Sequence, residues 1–299
     1  MQYAITGCLG YLGSHIVERL TLQGHTVFGL QRRSDPQDQF KQVCQKYNLK
    51  PNLALVKFIP CDITKPTWNL PKEFLQVKLD KLVHAAGDIS ILKSAQGMKP
   101  TNIDPLDFFS AINAQTIVHI STLAIFVSSN WEKGICTPTS EYTNLKWTTG
   151  YAESKALAEV KIKEMGDDRI GIVRPSQITS KVMPDGDMYN LFCISMKNIQ
   201  CRPEITPMEE INLVDIQHVI DDILNCQGGE IIHSFGRNHS LADIVSQYPK
   251  ISNDEFQKRI KVFPRFTQTL IKNTFIRPVK THKNIDIMLS TGVTFQQGT

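Results

Sequence analysis

The stretch Tyr3-Ala4-Ile5-Thr6-Gly7-Cys8-Leu9-Gly10-Tyr11-Leu12-Gly13-Ser14-His15-Ile16-Val17-Glu18-Arg19-Leu20 carries the most information in this chain. Strand-forming residues run into glycines at 7, 10 and 13, after which Leu12, Ile16, Val17 and Leu20 recur at helical spacing with Glu18 and Arg19 on the other side. The helix stops at Gly24, and His25-Thr26-Val27-Phe28 opens a second strand. Glycines so spaced let the backbone turn tightly, approach an anion closely and pack the helix on its strand. The free N–H groups and positive dipole end of the helix then face that anion. A dinucleotide pyrophosphate suits this turn, with Gly7, Gly10, Tyr11 and Leu12 beside it; an ordinary strand-to-helix turn is the plain alternative.

Outward from this unit, short apolar runs alternate with helix-patterned segments through the first 175 residues, as in a parallel sheet with crossover helices. Strands are expected near 2–6, 26–30, 55–59, 80–84, 116–120 and 169–174. A second helix is expected from Asp35-Pro36, a cap followed by proline, to just before Asn48. Beyond residue 176 the alternation weakens around Pro184-Asp185-Gly186-Asp187 and Arg202-Pro203. The expected architecture is therefore α/β: a doubly wound parallel sheet from 1–175, with returning segments around 205–235, and a smaller C-terminal substrate lobe from 176–204 and 236–299.

Bulk properties narrow the classes. The 299 residues carry a net charge of +4, and residues 251–299 alone hold eight Lys/Arg against Asp254, Glu255 and Asp286, or +5. The basic character is local, and no nucleic-acid-binding motif accompanies it. Between 258 and 280, cations alternate with Phe263, Phe266 and Phe275 in a segment that would suit an acidic carrier protein or an anionic membrane, or else pack as a terminal helix. No secretory signal is expected from Met1-Gln2 running straight into a strand, and the apolar stretch Thr116 to Val127 is too short to span a bilayer. Seven scattered cysteines without ligand spacing suggest reduced thiols in a cytoplasmic protein with no metal site; Cys8 in the turn reads as a small buried side chain.

Two further stretches point to chemistry. Leu30-Gln31-Arg32-Arg33-Ser34 closes the second strand with two guanidinium groups and no carboxylate before Asp35, which favours the 2′-phosphate of NADP over NAD. Tyr151 and Lys155 stand one helical turn apart in Gly150-Tyr151-Ala152-Glu153-Ser154-Lys155. A neighbouring ammonium favours phenolate, so Lys155 is expected to bring the phenol toward its working range as a proton donor or acceptor. Ser121 and Thr122 supply hydroxyls at the end of a predicted strand, where ligands of such sheets bind.

Thr6-Gly7-x-x-Gly10-x-x-Gly13 and Tyr151-x-x-x-Lys155 together resemble the extended short-chain dehydrogenases/reductases, a Rossmann-type family, over most of the chain. The resemblance implies Tyr151 as proton donor or acceptor, Lys155 as ribose ligand and pKa modulator, and Thr122 as the hydroxyl that orients the carbonyl. It also implies Asp62 and Ile63 at the adenine, Ala85, Ala86 and Gly87 beside the cofactor, a structural Asn102, Pro175 at the nicotinamide, and Asn212-Leu213-Val214-Asp215 anchoring the lobe. Within the family, Leu30-Gln31-Arg32, Ile120-Ser121-Thr122 and the Tyr151 helix look most like thioester reductases. The expected function is NADPH-dependent reduction of a carbonyl or thioester carbon, on a small-molecule or carrier-bound acyl substrate. A sugar-nucleotide epimerase or dehydratase and a non-catalytic NADP sensor are the rivals, and a homodimer is left open.

Overall fold

The computed structural model describes residues 1–90, 92–203, 210–265, 267–268 and 293–297. Along it run β1 (Gln2–Thr6), α1 (Tyr11–Leu22), β2 (Thr26–Gln31), α2 (Pro36–Tyr47), β3 (Val56–Pro60), β4 (Leu79–His84), α3 (Ala95–Asn102), β5 (Ala114–Ile120), α4 (Ala124–Val127), β6 (Gly134–Cys136), α5 (Gly150–Met165), β7 (Ile170–Pro175), β8 (Gln177–Thr179), α6 (Met188–Ile199), β9 (Glu210–Asp215), α7 (Ile216–Asn225), β10 (Ile231–Ser234), β11 (Arg237–Ser240), α8 (Leu241–Ile244), α9 (Asn253–Arg259) and β12 (Val293–Phe295).

The main sheet has seven strands in the order β10-β7-β5-β4-β1-β2-β3, every pair parallel. Strand order reverses between β1 and β4, so crossover helices cover both faces and a crevice opens at the carboxyl ends there. On one face Ile16, Val17 and Leu20 of α1 and Val219, Ile220 and Ile223 of α7 pack on Ile5, Val83, Val118 and Val173. On the other, Ala158 and Ile162 of α5 join Leu106 and Phe109 over Leu82, Ile117 and Ile172. This is the Rossmann-type sheet expected from the sequence. All six expected strands were legible to within two residues; the interior ones, buried on both faces, read as continuous apolar runs, and β3, partly exposed at the sheet edge, was marked by its strand-forming residues.

After β7 the chain builds smaller sheets. β9 pairs with β8 in parallel and with β11 in antiparallel fashion, and β12 pairs in parallel with β6. Phe192, Met196, Ile211, Leu241, Phe256 and Ile260 form a separate apolar cluster there. Asn212 staples the lobe, donating to the Gly236 carbonyl at 3.1 Å and accepting from the Gly236 N–H at 3.0 Å. Of the basic stretch 258–280, residues 266 and 269–280 lie outside the described residues. The segment leading into it is α9, whose N-cap Ser252 accepts from Glu255 N–H at 3.3 Å.

Candidate active site

The glycine-rich turn is shaped by two close approaches. Gly7 has φ +70°, and a Cβ there would lie 2.8 Å from the Ala86 nitrogen; a Cβ on Gly13 would lie 2.2 Å from the Gly7 oxygen. Neither position admits a side chain. Gly10 caps α1 without a side-chain bond, so the first N–H groups of the helix are unclaimed by it. Gly10, Tyr11, Leu12 and Gly13 line a cleft of about 560 Å³. Thr6 ties the floor together, accepting from Ala86 N–H at 3.1 Å and bonding His84 Nδ1 at 3.1 Å. A glycine cradle at a helix N-terminus that no side chain caps fits a dinucleotide pyrophosphate.

The opposite wall begins with α5. Thr149 caps this helix by accepting from Ala152 N–H at 3.2 Å, and the next turn brings Tyr151 and Lys155 to one face. Both line the same cleft as the glycine-rich turn, with Ala85, Gly87, Thr122 and Pro175. Lys155 is buried and donates from Nζ to the Ile120 carbonyl at 2.8 Å. Burial lowers its pKa to about 8, with Glu159 pulling the other way. Burial likewise pushes the Tyr151 phenol up to about 12, against a lowering hydrogen bond with Thr122. The expected lowering of the phenol by Lys155 is not observed, because desolvation dominates at Tyr151 and Lys155 is directed onto a carbonyl.

The two neighbouring hydroxyls are separated by their partners. Ser121 donates to the buried carboxylate of Glu159. That carboxylate also pairs with Arg174, from Nε at 3.0 Å and Nη2 at 2.6 Å, both residues being fully buried. Arg174 extends the anchor through Nη1, 3.1 Å from both the Pro138 oxygen and His233 Nε2. Thr122 makes weaker local bonds, donating to the Pro175 carbonyl at 3.4 Å and accepting from Ala124 N–H at 3.1 Å. Both hydroxyl-bearing residues line the cleft, and Thr122 is the one whose hydrogen bond bears on the Tyr151 phenol. Asn102 locks the rim: Nδ2 donates to the Asp88 carbonyl at 2.9 Å and Ser154 Oγ at 2.8 Å, and Oδ1 accepts from Asp88 N–H at 2.7 Å.

Other expected residues lie elsewhere. Arg32 and Arg33 are exposed at the end of β2, outside the cleft lining. Gln31 holds that turn, donating to the Arg33 carbonyl at 3.0 Å and accepting its N–H. Asp62 folds onto Thr64, accepting its N–H at 3.0 Å and its hydroxyl at 2.7 Å. Burial pushes this carboxyl up, but the Thr64 bonds and the Arg32 charge hold it below its ordinary value. Ile63 lines a separate recess of about 360 Å³ with Lys65 and Trp68. Ala86 serves through its backbone N–H on Thr6. Sequence reasoning missed Gln177, Asp187 and Phe295, which line the cleft. Only Asp187 left a trace, in the Pro184–Asp187 loop signal; it caps α6 at 2.9 Å and accepts from Gln177 at 3.0 Å.

Residues 5–223 match the family model described as male sterility protein, an NAD-binding family. The chain belongs to that family. Its members are NAD(P)-binding oxidoreductases of the thioester-reductase-like group. Within the curated proteins, this male sterility family member is 24% identical over 206 residues to an uncharacterised protein of Schizosaccharomyces pombe, aligning 63% of this chain with 19% of that one. The chain thus spans less than a fifth of the length of the curated relatives it matches. Among solved structures it resembles the terminal R domain of the myxalamid PKS-NRPS biosynthetic pathway, with TM-score 0.75, 17% identity, and 90% and 78% of the two chains covered. It also resembles the UDP-glucuronic acid 4-epimerase of Bacillus cereus in complex with UDP-glucuronic acid and NAD, with TM-score 0.65, 19% identity, and 84% and 86% covered. Both likenesses are of fold.

Proposed function

We propose that the chain is an NADPH-dependent reductase acting on the carbonyl or thioester carbon of an acyl substrate, small or carrier-bound. The observation that carries this reading is the shared cleft, in which Thr122, Tyr151 and Lys155 face the glycine-rich turn. When bound, the reduced nicotinamide supplies hydride. With a pKa of about 12, Tyr151 keeps its proton at neutral pH and donates it to the substrate oxygen. Thr122 orients that oxygen by a hydrogen bond. Lys155, an ammonium below about pH 8, lines the same cleft and would hold the ribose of the cofactor. The exposed pair Arg32 and Arg33 supports the preference for a 2′-phosphate.

The epimerase reading shares the fold but is given little charge for its substrate by the described residues. Among the described residues lining the cleft, Lys155 is the only Lys or Arg, whereas a nucleotide-sugar diphosphate calls for charge-assisted partners. Loss of NADPH absorbance on adding fatty aldehydes or acyl thioesters tests the proposal. Tightly retained nucleotide, no net NADPH consumption and interconversion of a sugar nucleotide would overturn it.

A further inference from the structure

Phe295 reaches the cleft from the far end of the chain. β12 aligns Phe295 with Cys136 of β6, and Phe295 lines the cleft together with Ala124 and Val127 of α4, the helix that starts two residues past Thr122. Phe295 also belongs to the apolar cluster that holds Leu123 and Val127. It is 6% exposed, and behind it stand His233 at 6.4 Å and Phe235 at 6.0 Å between ring centroids.

Three residues of strand would ordinarily fray, but this one is pinned. The Gln297 side chain accepts from His233 N–H at 3.2 Å and donates to the His233 carbonyl. Asn238 Nδ2 donates to the Val293 carbonyl at 3.2 Å. The ring is thus a stationary wall held from β10 and β11, backed by further apolar side chains rather than by solvent.

We propose that Phe295 limits the length of the apolar arm this cleft accepts, acting as a specificity-determining residue. The inference rests on the reductase reading above for the nature of the substrate, while the wall itself is a matter of geometry. Each methylene that finds room gains about fourfold in affinity, and one that meets a fixed ring gains nothing. Affinity should therefore climb with chain length and then stop where the arm reaches Phe295. Removing the ring opens the cleft toward Phe235, and enlarging it moves the stop inward.

Unreactive n-alkyl amides from four to twelve carbons, titrated calorimetrically into NADP-loaded protein, test this with about fourfold steps expected before the stop. The expected result is a break in the series that moves to longer chains in Phe295→Ala and Phe295→Leu and to shorter ones in Phe295→Trp. Leucine keeps an apolar contact for β12 if alanine loosens the fold. A break at the same length in the wild type, the leucine variant and the tryptophan variant overturns the proposal, as does a wild type that binds no amide. Movement of the break with no reduction of the matching n-alkyl aldehydes would uphold the wall and reject the reductase reading instead.

Discussion

The two sides of the cleft are assembled in opposite ways. The nucleotide side comes from short contiguous stretches, Thr6–Gly13 and Ala85–Gly87, each at the carboxyl end of its own strand. The side proposed to take the substrate gathers Val127, Gln177, Asp187, Asn212 and Phe295 from segments spread over more than half the chain. A backbone cradle needs only local spacing to form, whereas a side-chain wall depends on how several sheets and loops meet. Helix α5 carries the proposed catalytic pair within one turn, and its Glu159 is tied to Arg174 of β7.

The sharpest way to test this division is at the junction. Tyr151→Phe should cut turnover by roughly 10²- to 10⁴-fold and leave the NADPH dissociation constant within about twofold, because it removes a proton donor and no cradle group. Steady-state rates and calorimetric titration check both halves; a matching loss of nucleotide affinity would merge the two sides.

Breaking the anchor comes next. Glu159→Gln strands a buried guanidinium, so urea unfolding should show a loss of about 3–5 kcal/mol. Replacing both Glu159 and Arg174 with apolar residues of similar volume should recover much of it, since the desolvation penalty disappears with the charges. A double variant no more stable than the single would show that hydrogen bonds to Ser121, Pro138 and His233 hold the region instead.

The acid limb is smaller per unit of pH. His84 and His119 are fully buried beneath Lys155; burial, helped by the Lys155 charge, lowers the pKa of His84 to about 3 and that of His119 well below its ordinary value. Unfolded imidazoles titrate near 6.5, so the unfolded chain binds more protons below that pH and stability falls as pH drops from about 6.5 toward 3, by up to about 1.4 kcal/mol per pH unit for each histidine. Urea midpoints at pH 7, 6 and 5 measure the slope. His119→Leu should flatten it, and an unchanged slope would place the proton uptake elsewhere.

The smallest expected effect separates the cofactors. Arg32→Ala should weaken NADPH about tenfold by removing a phosphate partner, and NADH hardly at all. Equal losses for the two nucleotides in a binding titration would leave Arg32 without a phosphate role.

Much of the nucleotide side was legible because its signals are local. Glycines at 7 and 13 are demanded by backbone atoms a few residues away or one strand over, and apolar runs mark strands buried on both faces. The preference for Thr122 over Ser121 is another matter. Neighbouring hydroxyls look alike in sequence, and only the buried carboxylate of Glu159, folded back from α5, claims one of them. Phe295 left no signal at all, since a lone phenylalanine near the terminus reads like any other.

What the amino-acid order determined by itself is the alternating architecture, the glycine-rich turn and the Tyr151–Lys155 spacing, because 2.0- and 3.6-residue periodicities and glycine geometry act over a few bonds. Tertiary structure decided the pKa values of the couple, the partner of each hydroxyl and the outer wall of the cleft. Those depend on burial and on contacts between residues far apart in the chain, such as Cys136 with Phe295 and Glu159 with Arg174. Desolvation and packing exist only once distant segments have met.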